Sequence, residues 1–174
     1  MTRGGFAPSP TLPKSLMHLQ KGPDMPYLAV IAHETSWNGF LVDIQVSATA
    51  QTREDLKERL EQGLTLHLDT LQKLGQPIPE AKTKTLEDID AEELEDFNNP
   101  EALWIEPAPM NPISELIKAA LAESGMSERE VARRMGTAPA AINRMKNPFY
   151  FGHSLQTLNK LAEVLGKKWQ HQLV

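Results

Sequence analysis

The spacing of hydrophobic residues changes several times along the chain and divides it into segments. Residues 27–31 form an apolar, β-rich run, and from Phe40 to Val46 apolar and polar residues alternate, as in a strand with one buried face. Asn38-Gly39 lies between the two runs, and Asn-Gly is the strongest short-range signal for a hairpin turn. We therefore predict a β-hairpin that turns at Trp37-Asn38-Gly39, with a bend into a third short strand at residues 47–50.

A long amphipathic helix is predicted after this hairpin. Thr52 is its candidate N-cap, Asp55 three residues later forms a weak capping box, and Gly75 is the glycine expected just beyond its end. Five leucines at helical spacing mark the apolar face, namely Leu56, Leu60, Leu64, Leu68 and Leu71.

The next stretch, residues 80–100, is polar and acidic, with a short predicted helix at residues 91–97. A short strand at residues 102–106 follows, and the prolines after it predict a stiff linker. The resulting order of elements, βββαβ, predicts a small α+β domain in which one long helix covers one face of a sheet.

From Ile113 onward the apolar pattern is entirely helical. Capping residues and glycines divide it into four short helices, which predicts a compact all-α domain. The helices are expected to begin near Ile113, Ser127, Pro139 and Ser154, and to end near Gly125, Gly136, Lys146 and Gly166.

Four regions follow from these patterns: a disordered leader at residues 1–24, the α+β domain at 25–108, a linker at 109–112 and the helical domain at 113–174. The total charge of −5 divides into +2 over residues 1–24, −11 over 25–112 and +4 over 113–174. An acidic part joined to a basic part predicts partners of opposite charge, a basic protein for the first and nucleic acid for the second. The alternative is that the acidic faces only keep the protein soluble.

Several classes of function are excluded by the composition. The chain has no cysteine, so it has no disulfide scaffold, thiol catalysis or Cys-ligated metal. It also has no apolar run of the roughly 20 residues that span a membrane, and its histidines lack metal-ligand spacing. The leader lacks the apolar core of a signal peptide. We expect a cytoplasmic protein with no catalytic site, no metal site and no cofactor, which is not an enzyme.

The second and third predicted helices have the pattern of a helix-turn-helix. The small residue Ala132 permits a close helix crossing, and Gly136 permits the tight turn. Ile142 and Met145 are expected to pack back on Val131 and Met135. The opposite face of the later helix is then free to enter a DNA major groove, and it presents Pro139, Ala140, Asn143 and Arg144.

This segment resembles the helix-turn-helix of the phage repressor/Cro family, and residues 113–166 are similar to that module without its last helix. The resemblance implies that Pro139, Ala140 and Arg144 face the bases, with Asn143 beside them. The sequence departs from the family at two places: Glu128 replaces a frequent phosphate-contacting glutamine, and Pro139-Ala140 replaces hydrogen-bonding residues, so that thymine methyl groups could be read there instead. The predicted DNA contacts are Arg129, Pro139, Ala140, Asn143, Arg144, Lys146 and Asn147.

The order of elements from residue 25 onward resembles the HicB antitoxin family. The similarity rests on the strand opening Met-Pro-Tyr-Leu-Ala-Val, the Thr-Arg-Glu-Asp-Leu start of the leucine-rich helix, the Ile-Pro that follows it and the final strand. It implies a partial RNase H-like fold without nuclease activity, a HicA-type toxin that cuts mRNA as partner, and repression of the operon of the pair. The Pro-Gly turn common in the family before the long helix is absent here, replaced by residues 46–50.

Nuclease chemistry on such a sheet needs several carboxylates around two metal ions, and Asp43, on the second predicted strand, is the only carboxylate well placed inside the sheet pattern. The two resemblances together imply a type II antitoxin that neutralises a HicA-type toxin and binds operator double-stranded DNA, and we expect it to bind DNA as a dimer or higher homo-oligomer. The alternative is a stand-alone helix-turn-helix regulator whose α/β domain senses a ligand or partner.

Overall fold

The computed structural model describes residues 26–169, and these form two compact units that divide between Ala108 and Pro109. The predicted leader at residues 1–24 and the last residues of the helical domain, 170–174, lie outside the described part. Each unit is described by itself below.

The first unit is a four-stranded antiparallel sheet with a long helix. Its strands are β1 (Tyr27–His33), β2 (Trp37–Leu41), β3 (Ser47–Ala50) and β4 (Glu101–Ile105), in the spatial order β3-β2-β1-β4. Helix α1 (Arg53–Lys73) connects β3 to the later segments, and a short helix α2 (Ala91–Leu94) precedes β4. The predicted order βββαβ and the α+β class are confirmed.

Both faces of the sheet are covered, which explains why β1 is buried along almost its whole length. Alternate residues of β1, namely Tyr27, Ala29 and Ile31, join the leucines of α1 in one apolar cluster. Leu28 and Val30 point to the other face, where Ile89 completes a second cluster. Leu86, Leu94 and Phe97 pack against it as well. The acidic stretch therefore carries the apolar residues that close the second face of the sheet.

The predicted hairpin turn at Trp37-Asn38-Gly39 is wrong. These three residues belong to β2, and the turn lies just before them, at residues 34–36. A Cβ atom on Gly39 would lie 2.8 Å from Ile31 Cγ2 and 2.9 Å from the carbonyl oxygen of Val30. The glycine is thus required by the close approach of two strands rather than by a turn.

The second strand ends at Leu41, so the alternation of residues 40–46 does not reflect a continuous strand. The chain turns instead: the Val46 amide donates to the Ile44 carbonyl (2.7 Å), and the Leu41 amide donates to the Val46 carbonyl (2.9 Å). Val42 packs on the second face of the sheet, whereas Ile44 is buried in the cluster beneath α1. Phe40 and Val42 pack on one cluster and Ile44 and Val46 on the other, so the regular spacing of these apolar residues does not come from one continuous strand.

Asp43 is therefore in this turn and not in the sheet, which corrects its predicted position. Its carboxylate accepts hydrogen bonds from the amides of Lys82 and Thr83, each at 2.9 Å, and from the Thr83 hydroxyl at 3.1 Å. In addition, the buried Tyr27 hydroxyl donates to the Pro79 carbonyl (2.5 Å). Both contacts fix the segment that follows α1.

The predicted limits of α1 are confirmed. Thr52 is its N-cap and accepts from the Asp55 amide at 3.1 Å, and Gly75 beyond its end has φ +65°. Helix α2 stops at Leu94, three residues earlier than predicted, and β4 begins one residue earlier, at Glu101.

The second unit consists of four helices, as predicted. They are α3 (Pro112–Ser124), α4 (Glu128–Met135), α5 (Pro139–Met145) and α6 (Leu155–Val164). Ser127 and Ser154 cap α4 and α6 through their side chains, and Gly125 and Gly136 follow α3 and α4 in the left-handed conformation. Pro112 was expected in the linker but opens α3, because its fixed φ suits the first turn of a helix.

None of the helices in residues 26–169 combines the length and the apolar character needed to cross a bilayer.

Candidate nucleic-acid interface

Helices α4 and α5 form a tight helix-turn-helix. Gly136, with φ +62°, ends α4, and the Thr137 amide donates to the Ala132 carbonyl at 2.9 Å. Only 1% of the surface of Ala132 is exposed, which is consistent with a close crossing of the two helices. The predicted core is confirmed, since one apolar cluster contains Val131, Ala132, Met135, Ile142 and Met145.

The opposite face of α5 is exposed and carries four of the predicted DNA contacts, Pro139, Ala140, Asn143 and Arg144. Pro139 opens the helix without a side-chain cap at Ala138, so the N-terminal end of α5 is not blocked by a capping side chain. We call this surface the reading face. It provides one amide and one guanidinium, together with two small apolar side chains.

Arg144 lies against an aromatic ring. Its guanidinium carbon is 5.4 Å from the centroid of Tyr150, a distance at which the ring attracts a cation. Tyr150 is itself held, because its hydroxyl donates to the Gly152 carbonyl at 2.8 Å. The ring therefore restricts the conformations of the one arginine on the reading face.

The remaining predicted contacts differ in their surroundings. Arg129 is exposed on α4, and its side chain makes no hydrogen bond or ion pair with another residue in the described part of the chain. Lys146 follows α5 as its C-cap residue and forms an ion pair with Glu128. The Asn147 side chain accepts a hydrogen bond from the Phe149 amide at 2.9 Å, so its oxygen shapes the loop after α5.

Lys118 is a residue that the sequence reasoning missed. Together with Ala140, Asn143, Arg144 and Lys146 it lines a shallow, open depression of about 500 Å³ beside the reading face. Lys118 comes from α3, where it pairs with Glu115 at 2.6 Å. Three cationic side chains thus surround one depression, and such a surface attracts phosphate groups.

A buried polar network fixes the loop that follows α5. Asn111 caps α3 by accepting from the Ile113 amide (3.0 Å), and its amide group donates to the Tyr150 carbonyl (2.9 Å). Ser114, which is fully buried, donates to the Asn147 carbonyl at 2.7 Å. The loop that carries Tyr150 is therefore anchored to α3. Because Arg144 packs against the Tyr150 ring, the position of Arg144 depends on the same anchor.

His153 belongs to the same network. Its Nε2 faces the Met145 carbonyl at 3.0 Å, so that nitrogen carries the proton and donates, and Nδ1 accepts from the Asn111 amide group at 3.2 Å. The neutral form with a proton on Nε2 satisfies both partners.

A second group of charges on α4 lies outside the depression. Arg133 and Arg134 both donate to Glu130, with distances of 2.7–2.9 Å, and these hydrogen bonds lower the pKa of Glu130 to about 2. The same carboxylate holds the pKa of Arg133 above its usual value. Neither arginine lines the depression.

Within residues 26–169 no group of three or more His, Cys, Asp or Glu side chains is arranged to hold a metal ion.

Comparison with known proteins finds a family model that matches part of the helical unit. Residues 117–168 match the model of the Cro/C1-type HTH DNA-binding domain, which confirms the predicted resemblance for this part of the chain. Among solved structures, a chain of a HicA3 and HicB3 toxin-antitoxin complex is similar to this protein, with 22% identity and a TM-score of 0.41. The similarity covers 49% of this chain and 100% of that chain. A search of curated proteins found no match.

Proposed function

We propose that this protein is the antitoxin of a type II toxin–antitoxin system. In this proposal its first unit binds and neutralises a HicA-type toxin that cuts mRNA, and its second unit binds operator DNA and represses the operon of the pair. The protein would act in the cytoplasm, by binding alone and without a catalytic step of its own.

The observation that carries the DNA-binding part is the reading face of α5. It is exposed, it belongs to a segment that matches a DNA-binding family, and cationic side chains flank it at Lys118 and Lys146. A helix of this kind reads base edges in the major groove, while the surrounding cations contact phosphates. Arg144 is the side chain suited to guanine, since a guanidinium can bridge O6 and N7.

The toxin-binding part is supported by charge. Residues 25–112 carry a net charge of −11. Six carboxylates on and around α2 are exposed and form no ion pair with another described residue: Glu87, Asp90, Glu92, Glu93, Glu95 and Asp96. A protein that binds and cuts RNA presents a basic surface, and complementary charge speeds its association with an acidic partner.

We further propose that the species that binds DNA is a dimer or a higher homo-oligomer. One short helix reads only a few base pairs, and two modules on half-sites about one helical turn apart supply the missing specificity. Light scattering at micromolar concentration should give at least twice the chain mass of 19.4 kDa. A monomer that binds its operator with full affinity would contradict this expectation.

Co-expression with the product of a short, basic neighbouring reading frame tests the antitoxin function. The full chain should co-purify with that product and restore growth of cells that express it. Arg144→Ala is the matched control, because it changes the reading face of the other unit and should still restore growth.

If the chain binds DNA but neither co-purifies with this product nor restores growth, the stand-alone regulator is the better description. If it restores growth but does not bind the DNA upstream of its own gene, the repressor part of the proposal is wrong.

A further inference from the structure

One ion pair connects the two helices of the helix-turn-helix. Glu128 is the first residue of α4 and Lys146 is the C-cap residue of α5, so the contact joins positions that are 18 residues apart. The lysine side chain is 24% exposed and the glutamate side chain 44%. Lys146 is thus the more buried partner, and its ammonium group is held by a specific carboxylate.

This contact places a negative charge at the border of a surface suited to a polyanion. Lys146 lines the same depression as Asn143 and Arg144 of the reading face. A DNA phosphate that approaches Lys146 therefore also approaches Glu128. It must either displace that carboxylate or bind close to it, and both are unfavourable.

Glu130, two residues further along α4, offers a direct comparison. It also binds cations, but its partners Arg133 and Arg134 lie outside the depression. The two glutamates share a helix and a charge, and they differ in whether the cation they hold belongs to the candidate DNA surface.

We infer that Glu128 is an affinity-determining residue that weakens DNA binding by competing with phosphate for Lys146. This inference rests on the proposed DNA-binding function and assigns to Glu128 the role of lowering the affinity of the same site for DNA. The intramolecular carboxylate lowers the affinity of each module for any DNA, so that tight binding requires several correct contacts at once. Sequence discrimination then depends less on the general attraction to phosphate.

The size of the effect follows from the exposure of the pair. A partly exposed ion pair contributes little, so its removal changes an equilibrium by a factor of about two to five. Removing the carboxylate near the phosphate adds to this, and we expect Glu128→Gln to raise DNA affinity about five- to tenfold in total. The variant should also gain one phosphate contact, which steepens the salt dependence by about one unit of slope.

The experiment uses the full chain and a fluorescent 24-base-pair duplex of random sequence, with fluorescence anisotropy measured at several salt concentrations. Four variants are compared with the native chain: Glu128→Gln, Glu130→Gln, Lys146→Gln and the double variant Glu128→Gln/Lys146→Gln. Glu130→Gln is the matched control, because it changes the net charge equally, and we expect it to alter affinity less than about twofold. Circular dichroism confirms that each variant is folded.

The inference requires that Glu128→Gln tightens binding and that this gain is largely lost in the Lys146→Gln background. Equal gains from Glu128→Gln and Glu130→Gln would overturn it, since net charge alone would then explain the effect. An undiminished gain without Lys146 would overturn it as well. If neither the native chain nor Glu128→Gln binds the duplex even at low salt, both the proposed DNA-binding function and the inference about Glu128 are wrong. If the native chain binds DNA as tightly as Glu128→Gln does, only the inference about Glu128 is wrong.

Discussion

Asn111 connects two parts of the helical unit with one buried side chain. Its oxygen caps α3, and its amide group donates to the loop after α5, at the Tyr150 carbonyl and at His153 Nδ1. Asn111 is only 6% exposed, so water cannot easily replace any of these hydrogen-bond partners. The residue therefore maintains the loop against which Arg144 packs.

Replacing Asn111 with Asp separates the two roles. Aspartate caps a helix as well as asparagine does, but it cannot donate, and its oxygen would face the Tyr150 carbonyl. We expect a loss of about 2 kcal/mol in the free energy of unfolding, measured by urea titration followed by circular dichroism.

Asn147→Asp is the matched control for this experiment. The side chain of Asn147 accepts from the Phe149 amide and is exposed, so aspartate keeps its role there. This change should cost less than about 0.5 kcal/mol. Equal losses in the two variants would show that the donor group of Asn111 is not important.

At the scale of single residues, the sequence predicted which side chains of a helix are buried and which are exposed, because helical spacing and caps determine this. The exposure of Pro139, Ala140, Asn143 and Arg144 follows from the buried positions of Ile142 and Met145 on the same helix. The roles of Lys118 and Glu128 could not be predicted in this way. They depend on how α3, α4 and α5 cross, and one sequence carries no direct record of contacts between separate helices.

At the scale of elements, the β1–β2 hairpin depends on the absence of a side chain at Gly39. An added Cβ would meet the Val30 carbonyl oxygen at 2.9 Å, and this backbone atom cannot move without disturbing the pairing of the strands. We expect Gly39→Ala to destabilise the first unit by about 2–3 kcal/mol, measured by urea unfolding.

Gly75→Ala provides the comparison, because it lies in the same unit with nothing within 4 Å of the added Cβ. Its φ of +65° alone should cost about 1 kcal/mol. If Gly39→Ala is no more harmful than Gly75→Ala, the close approach of the strands does not explain this glycine.

The hairpin also shows why local signals can mislead at this scale. Asn-Gly favours a turn, but burial of Gly39 against Ile31 determined its place inside a strand. Helices α1, α3, α4 and α6 were easier to predict, because in each of them a helical apolar period agreed with a glycine just beyond the end.

At the scale of the whole molecule, the chain consists of two units with opposite net charge and separate apolar cores. The sequence predicted two domains, since a change in the sign of the charge coincides with the change in hydrophobic period. The covering of the second sheet face by residues 86–97 was not predicted, because the apolar residues there are few and surrounded by carboxylates.

We expect the first unit to neutralise the toxin without the second. A fragment that ends at Pro109 keeps both apolar clusters of the sheet and the acidic surface around α2. It should restore growth of toxin-expressing cells as well as the full chain does. A fragment that is folded by circular dichroism and restores no growth would show that the helical unit is needed for neutralisation.

The central claim is that the reading face of α5 recognises a DNA sequence. The most direct test measures the affinity of the full chain for a duplex from the region upstream of its own gene and for a shuffled duplex of the same composition. Specific complexes of this type bind about a thousandfold or more tighter than non-specific ones, and Arg144→Ala should reduce that ratio by roughly tenfold or more while leaving the affinity for shuffled DNA nearly unchanged. Equal affinity of the native chain for both duplexes, or an equal loss on both from Arg144→Ala, would contradict the claim.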